Sequence, residues 1–123
     1  MPKLSKQPRP HDTHALRAAW SAEQAAARSA RAAGDDTVEW VHLERGHILS
    51  QPLAAAHVRT HLAMLSYGWR HRDRHEVTGQ LVRLLVAGPG SAFRRYPRGN
   101  TGGANVSAVA PMPIPDDLTA VLG

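Results

Sequence analysis

Four side chains with metal-binding chemistry crowd one stretch of the sequence. Glu44 and His47 stand three apart, His57 and His61 four apart, and Ser50-Gln51-Pro52 separates the two pairs. Steps of three and four return a side chain to the same side of a helix. Two helices joined by so short a turn run antiparallel and adjacent. Counting back from the turn, His47 comes level with about His57, and Glu44 with about His61. Imidazoles and a carboxylate on facing helices are how helical bundles build metal centres. The donor set suits Fe, Zn, Cu or Ni rather than Ca or Mg. Glu23, from an earlier helix, is a candidate fifth ligand or an acceptor for an imidazole N–H.

The positions are expected to be apolar, and that gives the pattern its weight. An ionised Glu44 on a dry helix face costs several kcal/mol unless it is compensated. A divalent cation would compensate it. The bland alternative is a set of satisfied core histidines with Glu44 bonded to one of them. With an open coordination position such a centre does Lewis-acid or oxygen chemistry on a small-molecule substrate. With every position filled it is a carrier or structural site. The competing class is a metal-free module that holds a peptide, protein or nucleic acid. His71 and His75 flank a charged turn, His11 and His14 fall at or near the N-terminal arm, and His42 falls on a polar arc. None of these five belongs to the candidate set.

Composition narrows the classes further. The absence of cysteine excludes disulfides, thiolate zinc sites and iron–sulfur clusters. With 123 residues the chain holds one core and one domain. Its apolar content is rich in alanine, with one Phe and two Tyr, which favours packed helices over a sheet. The net charge of +5 is spread over the N-terminal arm, Arg70 to Arg74, and Arg94 to Arg98. No aromatic-interleaved basic stripe accompanies it, so nucleic acid is not the expected partner. No apolar run has membrane-span length and the N-terminus lacks a signal peptide's apolar core, so a cytoplasmic protein is expected. A homodimer stays open, since two copies could build a dinuclear centre.

The elements that must position the candidate ligands can be read in order. Residues 1–11 form a flexible basic arm and 12–123 a single helical domain. Asp12 caps a first helix that Gly34 stops near Ala33. Asp36-Thr37-Val38-Glu39 is a capping box that opens a second helix to Leu49, with Glu39, His42, Gly46 and Ser50 as its polar arc. Pro52 begins a third helix that runs to Trp69. Its apolar side holds Leu53, Val58, Leu62, Met64, Leu65 and Trp69. Asp73 to Glu76 caps a fourth helix, with Val77, Leu81, Leu84 and Leu85 facing in and Gly88-Pro89-Gly90 as its stop. A Gly/Pro-rich wrap over about 88–115 leads into a short last helix. Within it Asn100, Thr101, Gly102, Gly103 and Asn105 form a loop with two readings: a nest of amides for an anion or substrate, or glycines that let backbone pack closely on helices. The fold class is therefore all-α, an antiparallel bundle of about four helices under an irregular C-terminal segment.

Two resemblances follow from these residues. The Ala-rich first helix, Gly34-Asp35, and Trp40, Leu43 and Glu44 of the second resemble a tetratricopeptide-like hairpin. The run His42 to Leu49, His57-Val58-Arg59-Thr60-His61, and the tail Gly99 to Ser107 with Ala110 to Pro115 resemble a small bacterial family. That family is domain of unknown function 3703. The likeness covers nearly the whole chain after the arm, implies one domain, and carries no activity.

Overall fold

Asp12 accepts the backbone N–H groups of His14 and Ala15, at 3.0 and 3.2 Å, and opens α1 (Thr13–Ala32). Gly34 closes the following turn at φ +73°, a left-handed conformation that costs glycine little. The computed structural model describes residues 12–92, 97–107 and 110–123, and for 85–92 the backbone alone. The expected arm at 1–11, Leu85 as a core side chain, and part of the wrap lie outside what is described.

The second cap falls one residue earlier than expected. Asp35, not Asp36, accepts the Val38 N–H at 3.2 Å and opens α2 (Asp36–Ser50). Glu39 is then free of capping duty. It is buried, and the Arg70 guanidinium of the next helix donates to it at 2.6 and 3.3 Å. Pro52 stays in the turn, and α3 (Ala54–Arg70) begins two residues later. Asp73 accepts the Glu76 N–H at 3.0 Å at the start of α4 (Arg74–Ala92). This helix continues through Gly88-Pro89-Gly90, the expected stop, because a proline forfeits a backbone hydrogen bond without forbidding another turn. The last helix, α5 (Asp116–Leu122), forms as expected.

Each helix packs on its sequence neighbour from α1 to α4, and α5 returns against α1 and α2. The chain is an antiparallel helical bundle, with no strand among the described residues. Leu16, Ile48, Leu49, Leu118 and Leu122 form one core cluster, and Ala27, Leu43 and Met64 another. Gln51, in the α2–α3 turn, pins the wrap to the bundle. It donates to the Pro97 carbonyl at 2.8 Å and accepts the Gly99 N–H at 3.1 Å. Among the described residues no helix is long and apolar enough to cross a membrane.

Two helix faces depart from the expected pattern. The polar arc of α2 does not face solvent: Glu39, Gly46 and Ser50 are buried, while Val38 and Val41, apolar residues outside that arc, are exposed. Polar groups on that arc find polar partners on α1 and α3, which makes their burial tolerable. Gly46 lets α1 approach, with Trp20, Glu23 and Gln24 against it. On α3, Leu62 and Trp69 (75% exposed) point outward with Leu81 and Val82 of α4, leaving an apolar surface on the α3–α4 pair.

The α3–α4 turn carries a local proton site. His71 Nδ1 donates to the Tyr67 carbonyl at 2.8 Å and Nε2 faces Asp36 at 3.2 Å. Both favour the imidazolium, first the carbonyl and then Asp36, and raise the His71 pKa above 6.5. A raised folded-state pKa stabilises the fold below the unfolded value, and the gain fades as pH climbs through the folded one. In an NMR titration His71 should therefore show a midpoint above 6.5, moving down in an Asp36→Asn variant. A midpoint unmoved by that change would rule out the Asp36 contribution.

Candidate metal centre

The Ser50-Gln51-Pro52-Leu53 turn folds α3 back along α2 and brings His57 and His61 to His47. Their Nε2 atoms converge on one point. The three edges of the nitrogen triangle measure 3.0 Å (His47–His57), 3.1 Å (His47–His61) and 3.1 Å (His57–His61). All three rings are buried, at 3–6% exposure. His57 and His61 sit one turn apart, so both rings reach the single ring of His47, which projects between their levels.

The outer nitrogens decide what the inner ones carry. His47 Nδ1 lies 2.6 Å from the Asn100 carbonyl, which can only accept, so Nδ1 holds the proton. His61 Nδ1 lies 2.5 Å from Gln80 Oε1. The orientation of that amide is set by its other end, since Gln80 Nε2 donates to Glu76 at 2.6 Å and to the Gly102 carbonyl at 2.8 Å. His61 Nδ1 therefore donates as well. Burial, reinforced by repulsion from His61 and His57, drives the His47 pKa well below 6.5 against the pull of the Asn100 carbonyl. Burial likewise lowers that of His61. Both rings are neutral near pH 7, and each presents an Nε2 lone pair to the other across 3.1 Å.

Two facing lone pairs repel, and a cation between them removes the conflict. Ions of the zinc class bind imidazole nitrogen at about 2.0–2.1 Å, which spans N···N edges of roughly 2.9 Å at right angles and roughly 3.3 Å at the tetrahedral angle. The observed edges of 3.0–3.1 Å fall between these values. Three nitrogens so arranged occupy one face of a coordination sphere and leave the other side open. His47, His57 and His61 are a group whose ligand atoms all lie within 4.8 Å of one another.

The C-terminal wrap supplies the lid. Gly102 lies against the His47 ring at φ +84°, a conformation and a closeness that suit glycine alone. The Asn100 side chain accepts the Gly102 N–H at 2.9 Å and donates to the carbonyls of Ser107 and Ala110 at 2.7 and 2.8 Å. Glu76 accepts the Ala104 N–H at 2.9 Å. Residues 14–122, which span the three histidines and this wrap, match the family described as protein of unknown function, DUF3703. The chain belongs to that family. No curated protein and no solved structure matches it.

In this DUF3703 chain the two carboxylates expected at the centre stand elsewhere. Glu23 takes His42 Nδ1 at 2.6 Å and Arg45 Nε at 2.8 Å, because α1 packs on the face of α2 opposite the histidines. The imidazole N–H acceptors are Asn100 and Gln80 instead. Glu44, one turn before His47, is half-buried and bonded by the Thr101 side chain; burial raises its pKa and the charge of Glu76 adds to the effect. It is not in the close-packed group. The loop amides at Gly99, Asn100, Gly102, Ala104 and Val106 all donate to protein oxygens. Gly102 packs on His47, and Gly103 lies near Trp40 and the Asn105 side chain. Gln80 escaped sequence reasoning. Its one signal was its place four residues after Glu76 and four before Leu84, along one face of α4.

Proposed function

We propose that this protein binds a divalent transition metal through Nε2 of His47, His57 and His61. The observation that carries the proposal is the His47–His61 edge, 3.1 Å between two nitrogens whose protons sit on their far sides. All-imidazole ligation selects Fe, Zn, Cu or Ni. Second-partner hydrogen bonds from ligand Nδ1 atoms, here to Asn100 and Gln80, orient the rings and raise their basicity. A coordination position left free by the three imidazoles would take water or a small substrate, and Lewis-acid activation is the chemistry it would supply.

Elemental analysis of protein purified without a His tag tests the proposal. Stoichiometric Fe, Zn, Cu or Ni is the expected result. Protein that stays metal-free after incubation with each of these ions would sink it.

A second function, protein binding without metal, is favoured by the α3–α4 surface. Leu62, Leu65, Trp69, Val77 and Leu81 line a groove of about 330 Å³. Arg70, whose guanidinium pairs with Glu39, borders it. An amphipathic helix laying its apolar face into the groove is the matching partner. Such binding would be lost in a Leu62→Ser/Trp69→Ser variant and kept after metal removal.

A further inference from the structure

A second cleft is lined by α1 and α3 and by none of the three histidines. Trp20, Ser21, Gln24 and Arg28 of α1 and Arg59 of α3 line this open cleft of about 290 Å³, in which Ser21, Arg28 and Arg59 are exposed. Positions 20, 24 and 28 repeat at four-residue intervals and share one side of α1. Trp20 fixes one wall, since its indole N–H donates to Thr60 of α3 at 2.9 Å. Gly46 of α2 lies against Gln24.

The groups that line this space are donors. Arg28 and Arg59 form no ion pair among the described residues. No carboxylate lines the cleft, because Glu23 turns toward His42 and Arg45. Gln24 Nε2 is buried against Gly46 without a hydrogen-bond partner. An orphaned buried amide donor costs about 1–3 kcal/mol. Gln24 lines the cleft, and its amide carries two donors at one end and an acceptor at the other. A half-turn would set the carbonyl toward Gly46 and the amine toward the cleft.

We propose that this cleft binds a small phosphate-bearing molecule, with Arg28 and Arg59 on the phosphate oxygens, Ser21 and Gln24 as further donors, and the organic part along Trp20. Two guanidinium forks, an amide and a hydroxyl offer more donors than one carboxylate can accept, and match the three terminal oxygens of a phosphomonoester. The volume stands at the small end of ligand sites, with room for a phosphate and a compact body. The site uses none of the three histidines, so it stands or falls apart from the metal centre.

Calorimetric titration with inorganic phosphate, AMP and acetate at low salt, alongside the NMR signal of the Trp20 indole N–H, tests it. Inorganic phosphate or AMP should bind with a sub-millimolar dissociation constant that weakens as salt rises, and the Trp20 signal should move. An Arg28→Gln/Arg59→Gln variant should lose at least about tenfold in affinity. A Gln24→Met variant should lose less, and Arg72→Gln, in the α3–α4 turn, nothing. Metal content should be the same in all of them. The proposal is overturned if neither phosphate probe binds at millimolar concentration, if the double variant binds equally well, or if acetate binds as tightly as phosphate.

Discussion

Replacing His57 and His61 together by alanine should lower metal affinity by at least about a thousandfold, since most of the binding free energy resides in the ligands. The wild-type protein should lose heat stability when its metal is chelated. At a free ion concentration a thousand times the dissociation constant, binding contributes about 4 kcal/mol. On a chain of this size that is about 15 °C in the unfolding midpoint. The double variant also loses buried volume, so its absolute midpoint drops whether or not a metal binds. The diagnostic quantity is the difference with and without chelator, which should vanish in the variant. A milder His57→Gln variant, which keeps the volume, should show a reduced difference. His75→Ala, at an exposed position, should leave it unchanged. A wild-type midpoint indifferent to chelator would refute the metal centre.

The second large effect is expected at Gly102. An added methyl there would meet His47 Cδ2, and would lie 2.5 Å from Cγ and 2.8 Å from Nε2. The residue also sits at φ +84°, which costs about 1–2 kcal/mol for any side chain. With overpacking of about 1–3 kcal/mol added, Gly102→Ala should destabilise the fold by about 3 kcal/mol, or roughly 10 °C. It should also weaken metal binding, because the ring that moves carries a ligand nitrogen. Gly34→Ala is the control. It shares the left-handed backbone, at φ +73°, but nothing lies within 4 Å of its added carbon. It should cost only the backbone part and leave metal affinity alone. Equal effects at the two glycines would show that the lid does not press on His47.

Short-range patterns carried most of the architecture. The aspartates at 12 and 73, the glycine at 34 and the break at Ser50-Gln51-Pro52 place α1 to α3 and the start of α4 within a residue or two of where they form, while α4 runs past its expected stop to Ala92. Those signals are local because a cap or a turn is settled by the residues beside it. The pairing of His47 with His57 and His61 was legible for the same reason: a three-residue turn leaves two helices one antiparallel option.

Rotation about each helix axis was not legible. The arc Glu39, His42, Gly46 and Ser50 reads as solvent-facing until α1 and α3 bring Glu23 and Arg70 to it. That rotation carries Glu23 away from the histidines, while Glu44 lies toward Thr101. The caps of those imidazoles, Asn100 and Gln80, come from distances of 53 and 19 residues along the chain.

The sequence by itself determined the helices, their order and the presence of three histidines on facing sides of one hairpin. Only the tertiary structure decided that their Nε2 atoms meet in a buried triangle, with the protons of His47 and His61 held on its outside. A cap depends on neighbours in the chain, whereas the tautomer of a buried imidazole depends on whichever acceptor the completed fold sets against its outer nitrogen.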